Sequence, residues 1–560
     1  MNKVVVKDLQ VKYPDSEDYA IRHVSIEFEL NKLYLIIGKS GSGKSTLGKV
    51  LAGIIPQIEK AEVDGKVNVL NYNPVKTDIH KLSRIITYLS QSPYDQVISG
   101  YVEDELSFIL ENVEDIDFER LNFIMKYLGI EDIRHRRIDE LSGGQIQKLI
   151  IASILLLDPK VIVLDEPLAY LDPKSSRDII ELLVRLKGYE KCIILIEHRL
   201  KDLIYYFNKI DHVVLIDQGK IIDTFRGSEI HRKSKVLREL GLRIPINFEI
   251  SILCKNELKE PNDTEPLEQV IRLLSLKGPK LEVERQDTTN VYLIEISNLW
   301  FSYSSSNFIL KNINLKFNSN LVYAILGPNA SGKSTLLLCI AGILRPKRGF
   351  VKIFDKLVRS LRSTAGIVGY IPQNPDLILM FESVEKEISE RAKLWCKSKI
   401  ELERYVIEIS RTLGIRNYLD RNPHALSRGQ RFRVALAATL ALRPKILLLD
   451  ETTAGQDEEC ISILGELVKD YVREDHTVAV VVTHDIDFTY NYTDKAIVLH
   501  DGKVYASGDT IDVLSRNDVI DKCNLIKPLT LELYNKYGIK PIPDRELMSK
   551  IRMLGICYEA

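Results

Sequence analysis

One nine-residue segment occurs twice in this chain. It reads GKSGSGKST from Gly38 to Thr46 and GPNASGKST from Gly327 to Thr335. Each copy follows a short apolar run, Leu33 to Ile37 or Leu321 to Leu326, and leads into a proline-free stretch of helical pattern, 47–55 or 336–344. A chain built this way must form a strand, a tight small-residue turn and a helix in that order, once in each half. Other features recur in register. Gln91 returns as Gln373, LSGGQ (Ser142, Gly143, Gly144, Gln145) as LSRGQ (Ser427, Gly429, Gln430), Asp165-Glu166 as Asp450-Glu451, and His198 as His484. An ordered series kept twice at nearly constant offset is a duplication.

At 560 residues the repeat divides the chain into two large units. The expected units are 1–225 and 291–516, with 226–290 as a linker or extension of the first half and 517–560 as a C-terminal extension. Pro245, Pro261, Pro266 and Pro279 break the connecting stretch, and LRELGLRIPINFEISI within it is loosely echoed by PLTLELYNKYGIKPIP near the end. Four continuous runs, VIVLDE, CIILIEH, ILLLDE and VAVVVTH, look like parallel strands buried on both faces. Alternating strands and helices predict an α/β core whose active site lies at the carboxyl ends of the strands. The segments between each Gln and the LS(G/R)GQ run turn helical, as in EDELSFILENV and FERLNFIMKYLGI, and predict inserted helical subdomains. The opening MNKVVVKDLQVKY alternates like an edge strand.

Lys and Arg number 77 against 78 for Asp and Glu, a formal charge of −1, so the chain as a whole is no electrostatic nucleic-acid binder and none is expected as partner. Apolar runs such as Leu149 to Leu157 are too short to span a bilayer, and the N-terminus lacks the pattern of a signal peptide. A soluble protein acting in the cytoplasm is expected. The seven cysteines, with no CxxC pair, read as incidental thiols.

The glycine loops suit phosphate. Backbone N–H groups can wrap an anion where side chains are small, at Gly38, Ser40, Gly41 and Gly43 and again at Gly327, Asn329 and Gly332. Lys44 and Lys333 would hold the β- and γ-phosphates of ATP, with Thr46 and Thr335 completing the loops, and the hydroxyls of Ser45 and Ser334 would ligate Mg2+. A glycine turn that binds nothing is the alternative, and two full copies make it remote. The acidic pairs close buried strands, so Asp165 and Asp450 suit the metal, and Glu166 and Glu451 suit the base that activates water.

Phosphate loop, Gln, LSGGQ, strand-end Asp-Glu and strand-end His together resemble the ATP-binding cassette ATPases, over nearly the whole chain apart from linker and tail. The resemblance implies two P-loop NTPase domains, each a RecA-like core with an inserted helical subdomain and a strand-rich N-terminal part. It also implies that the halves pair within one chain, the signature of each completing the ATP site of the other. Ser142, Gly143, Gly144 and Gln145 would then serve the loop of the second half, and Ser427, Gly429 and Gln430 that of the first. Gln91 and Gln373 would contact Mg2+ and the attacking water, His198 and His484 the γ-phosphate, and Tyr13 and Tyr303 would stack on adenine, with Trp300 or Tyr19 as competitors. Arg428 replaces the first glycine of the second signature, and the segments after the two Glu residues differ: Ala169-Tyr170-Leu171-Asp172 against Ala454-Gly455-Gln456-Asp457.

QSPYDQVISGYVEDELSF, QNPDLILMFESVEKEISE and the EHRL of Glu197 to Leu200 are similar to the energy-coupling factor class of importers. That class implies an ATPase bound peripherally to the cytoplasmic face of the membrane. Its partners are an integral transport subunit and a cargo-binding membrane protein. Asp95, Glu103, Asp376 and Glu385 are candidates to face the arginines of the transport subunit. A soluble twin cassette acting on ribosomes is the alternative.

Overall fold

The computed structural model describes residues 3–14, 16, 18–39, 41–91, 93–111, 118–141, 143–168, 171, 173–254, 258–277, 292–303, 307–453, 456, 458–475, 477–522 and 524–554. The chain divides into two compact units, Met1–Val270 and Ile271–Leu554.

In the first unit, strands β1 (Lys3–Lys12), β2 (Tyr19–Glu29), β3 (Lys32–Ile37), β4 (Glu62–Val69), β5 (Ile86–Leu89), β6 (Val161–Asp165), β7 (Cys192–Ile196), β8 (His212–Asp217) and β9 (Lys220–Phe225) form two sheets. The larger has the order β5-β6-β7-β3-β8-β9, parallel except for the β8/β9 hairpin. Its middle strands are apolar between their end residues because both faces are covered. Along β3, Leu33, Leu35 and Ile37 enter the core shared with the helical insertion, while Tyr34 and Ile36 enter the core under the smaller sheet. That smaller sheet is antiparallel with the order β2-β1-β4. The N-terminal segment, expected at an edge, is therefore its central strand. Alternation in sequence reports one buried face and says nothing about neighbours on either side.

The second unit repeats this plan. Strands β10 (Tyr292–Phe301), β11 (Leu310–Asn318), β12 (Val322–Leu326), β13 (Arg348–Ile353), β14 (Lys356–Leu357), β15 (Val368–Ile371), β16 (Ile446–Asp450), β17 (Val478–Val482), β18 (Lys495–His500) and β19 (Lys503–Asp509) give sheets of order β15-β16-β17-β12-β18-β19 and β11-β10-β13-β14. The loop helices are shorter than the sequence pattern suggests, Lys44–Leu51 and Lys333–Ile340. Left-handed Gly53 in one half and Gly342 in the other follow them closely.

Helical insertions lie between the Gln and acidic-pair strands of each half. They comprise Val102–Glu111, Phe118–Leu128 and Gly143–Leu157 in the first, and Val384–Ala392, Lys399–Thr412 and Arg428–Leu440 in the second. After β9, helices Ser234–Glu239 and Ile246–Cys254 and the connection between them contribute Leu237, Leu242, Ile244 and Phe248 to the first unit's core. Helix Leu529–Tyr537 ends on left-handed Gly538, as Ser234–Glu239 is followed by left-handed Gly241, so the two echoing segments share a helix-stop geometry. No helix among the described residues is long and apolar enough to cross a membrane. Cys192, Cys339, Cys396 and Cys460 are free thiols, whereas Cys254 is disulfide-bonded, contrary to the expectation of thiols alone. Sequence spacing does not report which cysteines meet in space.

Candidate active site

Three parallel strands deliver the candidate groups to one end of each sheet. β3 runs into the glycine loop, β6 ends at Asp165, and β7 stops two residues before His198, with β12, β16 and β17 doing the same in the second unit. The loop is tight by necessity. A Cβ on Gly38 would meet Ile216 O at 2.1 Å and one on Gly327 would meet Leu499 O at 2.1 Å. Gly43 and Gly332 turn the chain into the helix at φ 101° and 98°, a region that side chains avoid.

Lys44 and Lys333 are buried. Lys44 Nζ donates to Gly38 O (2.8 Å) and Lys39 O (2.7 Å), and Lys333 Nζ to Gly327 O and Pro328 O, both at 3.0 Å. Each ammonium is thus held at the mouth of its own loop. Asp165 and Asp450 are also buried, and burial pushes both carboxyls up, the Glu166 charge adding to this at Asp165. Tyr88 donates its hydroxyl to Asp165 Oδ2 (2.6 Å) and Tyr370 donates to Asp450 Oδ2 (3.3 Å). In the second unit Ser334 Oγ donates to Asp450 Oδ1 at 2.9 Å. In the first, the Asp165 carboxyl is buried beside the Ser45 hydroxyl, whose hydrogen bond, like that of Tyr88, opposes the rise. A buried carboxylate oxygen beside a serine hydroxyl and a lysine-bearing loop fits a hard cation bound with phosphate.

Glu166 and Glu451 sit at left-handed φ values of 51° and 50°. Each meets the histidine of its half: His198 Nδ1 lies 3.3 Å from Glu166 Oε1, and His484 Nε2 lies 3.1 Å from Glu451 Oε1. Gln91 Nε2 donates to Glu166 Oε2 at 2.7 Å. Burial disfavours the Glu166 carboxylate, but the His198 charge and these hydrogen bonds outweigh it and hold the group well below the usual range. The same contact lifts His198 against its own burial.

The remaining expected residues are less converged. Tyr13 is half-buried, with its hydroxyl 3.2 Å from Thr46 Oγ1, whereas Tyr303 is 62% exposed and edge-on to Phe301. Trp300 donates to Asn298 and packs on Phe308, and Tyr19 lies under Lys12. Gly143, Gly144 and Gln145 open the helix Gly143–Leu157. Ser427 caps Arg428–Leu440, its Oγ accepting from Gln430 N (3.4 Å) while Gln430 Oε1 accepts from Ser427 N (3.0 Å). Gly429 packs near Gln456. Ser40, Ser142, Ala169, Tyr170, Asp172, Ala454, Gly455 and Asp457 lie outside the described residues. Of the four acidic docking candidates, Glu103 is bound by Arg134 (3.0 Å) and His135 (2.9 Å), and Asp376 by Arg431 (2.8 Å). Asp95 and Glu385 are exposed.

Sequence reading passed over Tyr88 and Tyr370. The repeat itself marks them, since they stand in the same place before Gln91 and Gln373, in ITYLSQ and VGYIPQ.

A strand-to-loop lysine, a buried Asp and a Glu–His pair at the carboxyl end of a parallel sheet define each unit as a phosphate-loop nucleotide-binding domain. The family model described as ABC transporter matches residues 21–169 and 310–454, and the chain belongs to that family as a twin-cassette ATPase. A provisionally named ABC transporter ATP-binding protein of Methanosarcina mazei is 33% identical over 97% of this chain and 95% of its own length. Among solved structures, archaeal ABCE1 bound to the ribosome with Pelota superposes with a TM-score of 0.63 at 23% identity, over 90% of this chain and 79% of that one, which shows a shared fold. The cbiO1 of Clostridium perfringens, part of the ABC transporter complex cbiONQ, is 33% identical over 44% of this chain and 99% of its own, with a TM-score of 0.38.

Proposed function

We propose that this chain is the ATP-hydrolysing subunit of an importer of the energy-coupling factor class, bound at the cytoplasmic face of the membrane. The observation that carries the reading of two working centres is that each half brings its Lys, Asp, Glu and His to one end of one sheet, with Glu and His in contact in both. In this reading the first centre uses Lys44, Glu166 and His198 with Ser427, Gly429 and Gln430 of the other half. The second uses Lys333, Glu451 and His484 with Ser142, Gly143, Gly144 and Gln145.

The loop N–H groups and the lysine bind the phosphates, and the signature N–H groups and hydroxyl close on the γ-phosphate. Ser45, Gln91 and Asp165, or Ser334, Gln373 and Asp450, would hold Mg2+, whose charge offsets that of the phosphates. Glu166 or Glu451 orients the attacking water and takes its proton as oxygen bonds to phosphorus and the β–γ bridge breaks, while His198 or His484 donates to the γ-phosphate. Tyr13 and Tyr303 are the adenine contacts. The importer assignment rests on the segments after Gln91 and Gln373 and on EHRL, while the name of the relative that spans this chain supports a transporter without giving its direction. Asp95 and Glu385, both exposed, are the acids best placed to meet arginines of a transport subunit.

The test is a pull-down of the tagged Glu166→Gln/Glu451→Gln protein from detergent-solubilised native membranes with ATP. Co-purification of a polytopic membrane protein with a small integral binding protein is expected. Recovery of ribosomal proteins and no membrane protein would overturn the importer reading.

A further inference from the structure

Glu197 is a fully buried carboxylate one residue before His198, and nothing in the proposed chemistry uses it. Its N–H donates to Ile36 O (3.2 Å), on the strand that carries the phosphate loop. Its side chain turns the other way. Leu168 N donates to Oε1 (3.3 Å), and the N–H groups of His198 and Arg199 donate to Oε2 (3.0 and 3.2 Å). Arg199 closes the link, with Nη1 donating to Leu168 O (3.0 Å) and Nη2 paired with Asp202 (2.6 Å). Both backbone polar groups of Leu168 are therefore gripped from the histidine loop. Leu168 lies just beyond Glu166, whose left-handed φ of 51° persists only if its surroundings hold it.

The second unit links the same two positions by other means. Thr453 and Thr483 take the places of Leu168 and Glu197, and their buried hydroxyls lie 2.7 Å apart, with Asp485 N donating to Thr483 Oγ1 (2.9 Å). One half uses a carboxylate on a backbone N–H, and the other a pair of hydroxyls. Retention of a link at the same place with exchanged chemistry argues that the link itself matters.

We infer that Glu197 is a positioning residue of the first catalytic centre: with Arg199, and through Leu168, it fixes the Glu166–His198 pair in its reactive arrangement, as the Thr453–Thr483 pair does in the second. This rests on the reading of Glu166 as the base. It explains why a carboxyl group is buried where an apolar side chain would be easier to fold around.

The experiment measures steady-state ATP hydrolysis in the full chain carrying Glu451→Gln, so that the first centre alone is read. Glu166→Gln in that background is the control for the base, and should abolish the remaining rate. Glu197→Thr is expected to lower kcat about tenfold or more while KM for MgATP stays within about threefold. Adding Leu168→Thr should rebuild a hydroxyl pair and restore kcat to within about threefold of the background, a non-additivity that a loss of general stability would not produce. Glu197→Gln, which keeps a carbonyl acceptor, should fall between. If Glu197→Thr fails to fold, Glu197→Gln decides: reduced kcat with an unchanged thermal midpoint supports the inference, and unchanged kcat overturns it. Retention of kcat in Glu197→Thr while Glu166→Gln abolishes it overturns the inference alone, as does strict additivity of the double variant. No hydrolysis above the Glu166→Gln/Glu451→Gln protein overturns the reading of a working first centre, and the inference with it.

Discussion

Backbone strain is stored at both proposed bases. Left-handed φ at a glutamate costs on the order of 1–3 kcal/mol, and here the N–H of Glu166 is pinned to Ile196 O and that of Glu451 to Val482 O, each at 2.9 Å. The strain directs each carboxylate off the strand end toward its histidine. Ala330 also sits at left-handed φ, 62°, where the first loop has Gly41 at 77°, so the two loops hold one backbone shape with unequal ease. The two centres differ in the signatures proposed to complete them as well, LSGGQ for the second and LSRGQ for the first. Glu451→Gln should therefore remove more of the steady-state ATPase than Glu166→Gln, and a larger loss in Glu166→Gln would refute the ranking. Lysines, acids and histidines were legible from repeated motifs. The strained φ and the Tyr88 and Tyr370 contacts were not, because they depend on how neighbouring strands end against one another.

At the scale of elements, each phosphate-loop strand is anchored at its start by an aspartate from the opposite end of the unit's sequence. Asp211 Oδ2 accepts from Leu33 N and Asp494 Oδ2 from Val322 N, both at 2.8 Å. Burial opposes ionisation of Asp211, but the Leu33 N–H and the Lys187 ammonium at 3.0 Å win and lower its pKa. A lowered carboxyl stabilises the fold above its unfolded pKa, near 3.9, and loses that contribution as pH falls through the folded value. Asp211→Ala should cost about 1–3 kcal/mol at neutral pH. In thermal denaturation the difference from wild type should stay constant from about pH 8 to about pH 5 and shrink only below about pH 4. A difference that grows toward acid would contradict this. Strand existence was readable from apolar runs, but the placement of β1 at the centre of its sheet was not, since hydrophobic alternation is blind to the hydrogen-bonding edge.

Over the whole molecule, each unit has its own hydrophobic cores, and the extensions after β9 and β19 contribute to them. Ile194, fully buried on β7, belongs to the first unit alone. Ile194→Ala should remove about 2–4 kcal/mol from that unit and, in calorimetry, move one transition down by several degrees while leaving the other in place. A single transition shifting as a whole would show that the units unfold together. The sequence by itself determined that there are two phosphate-loop α/β units of the cassette family, because loop chemistry and continuous apolar strands are local demands that a linear motif must satisfy. Only the tertiary structure decided how the Glu–His pairs are held, by a buried carboxylate and arginine in one unit and by two threonines in the other. Those contacts join segments some thirty residues apart, and no local pattern records which side chain of one loop will reach the backbone of another.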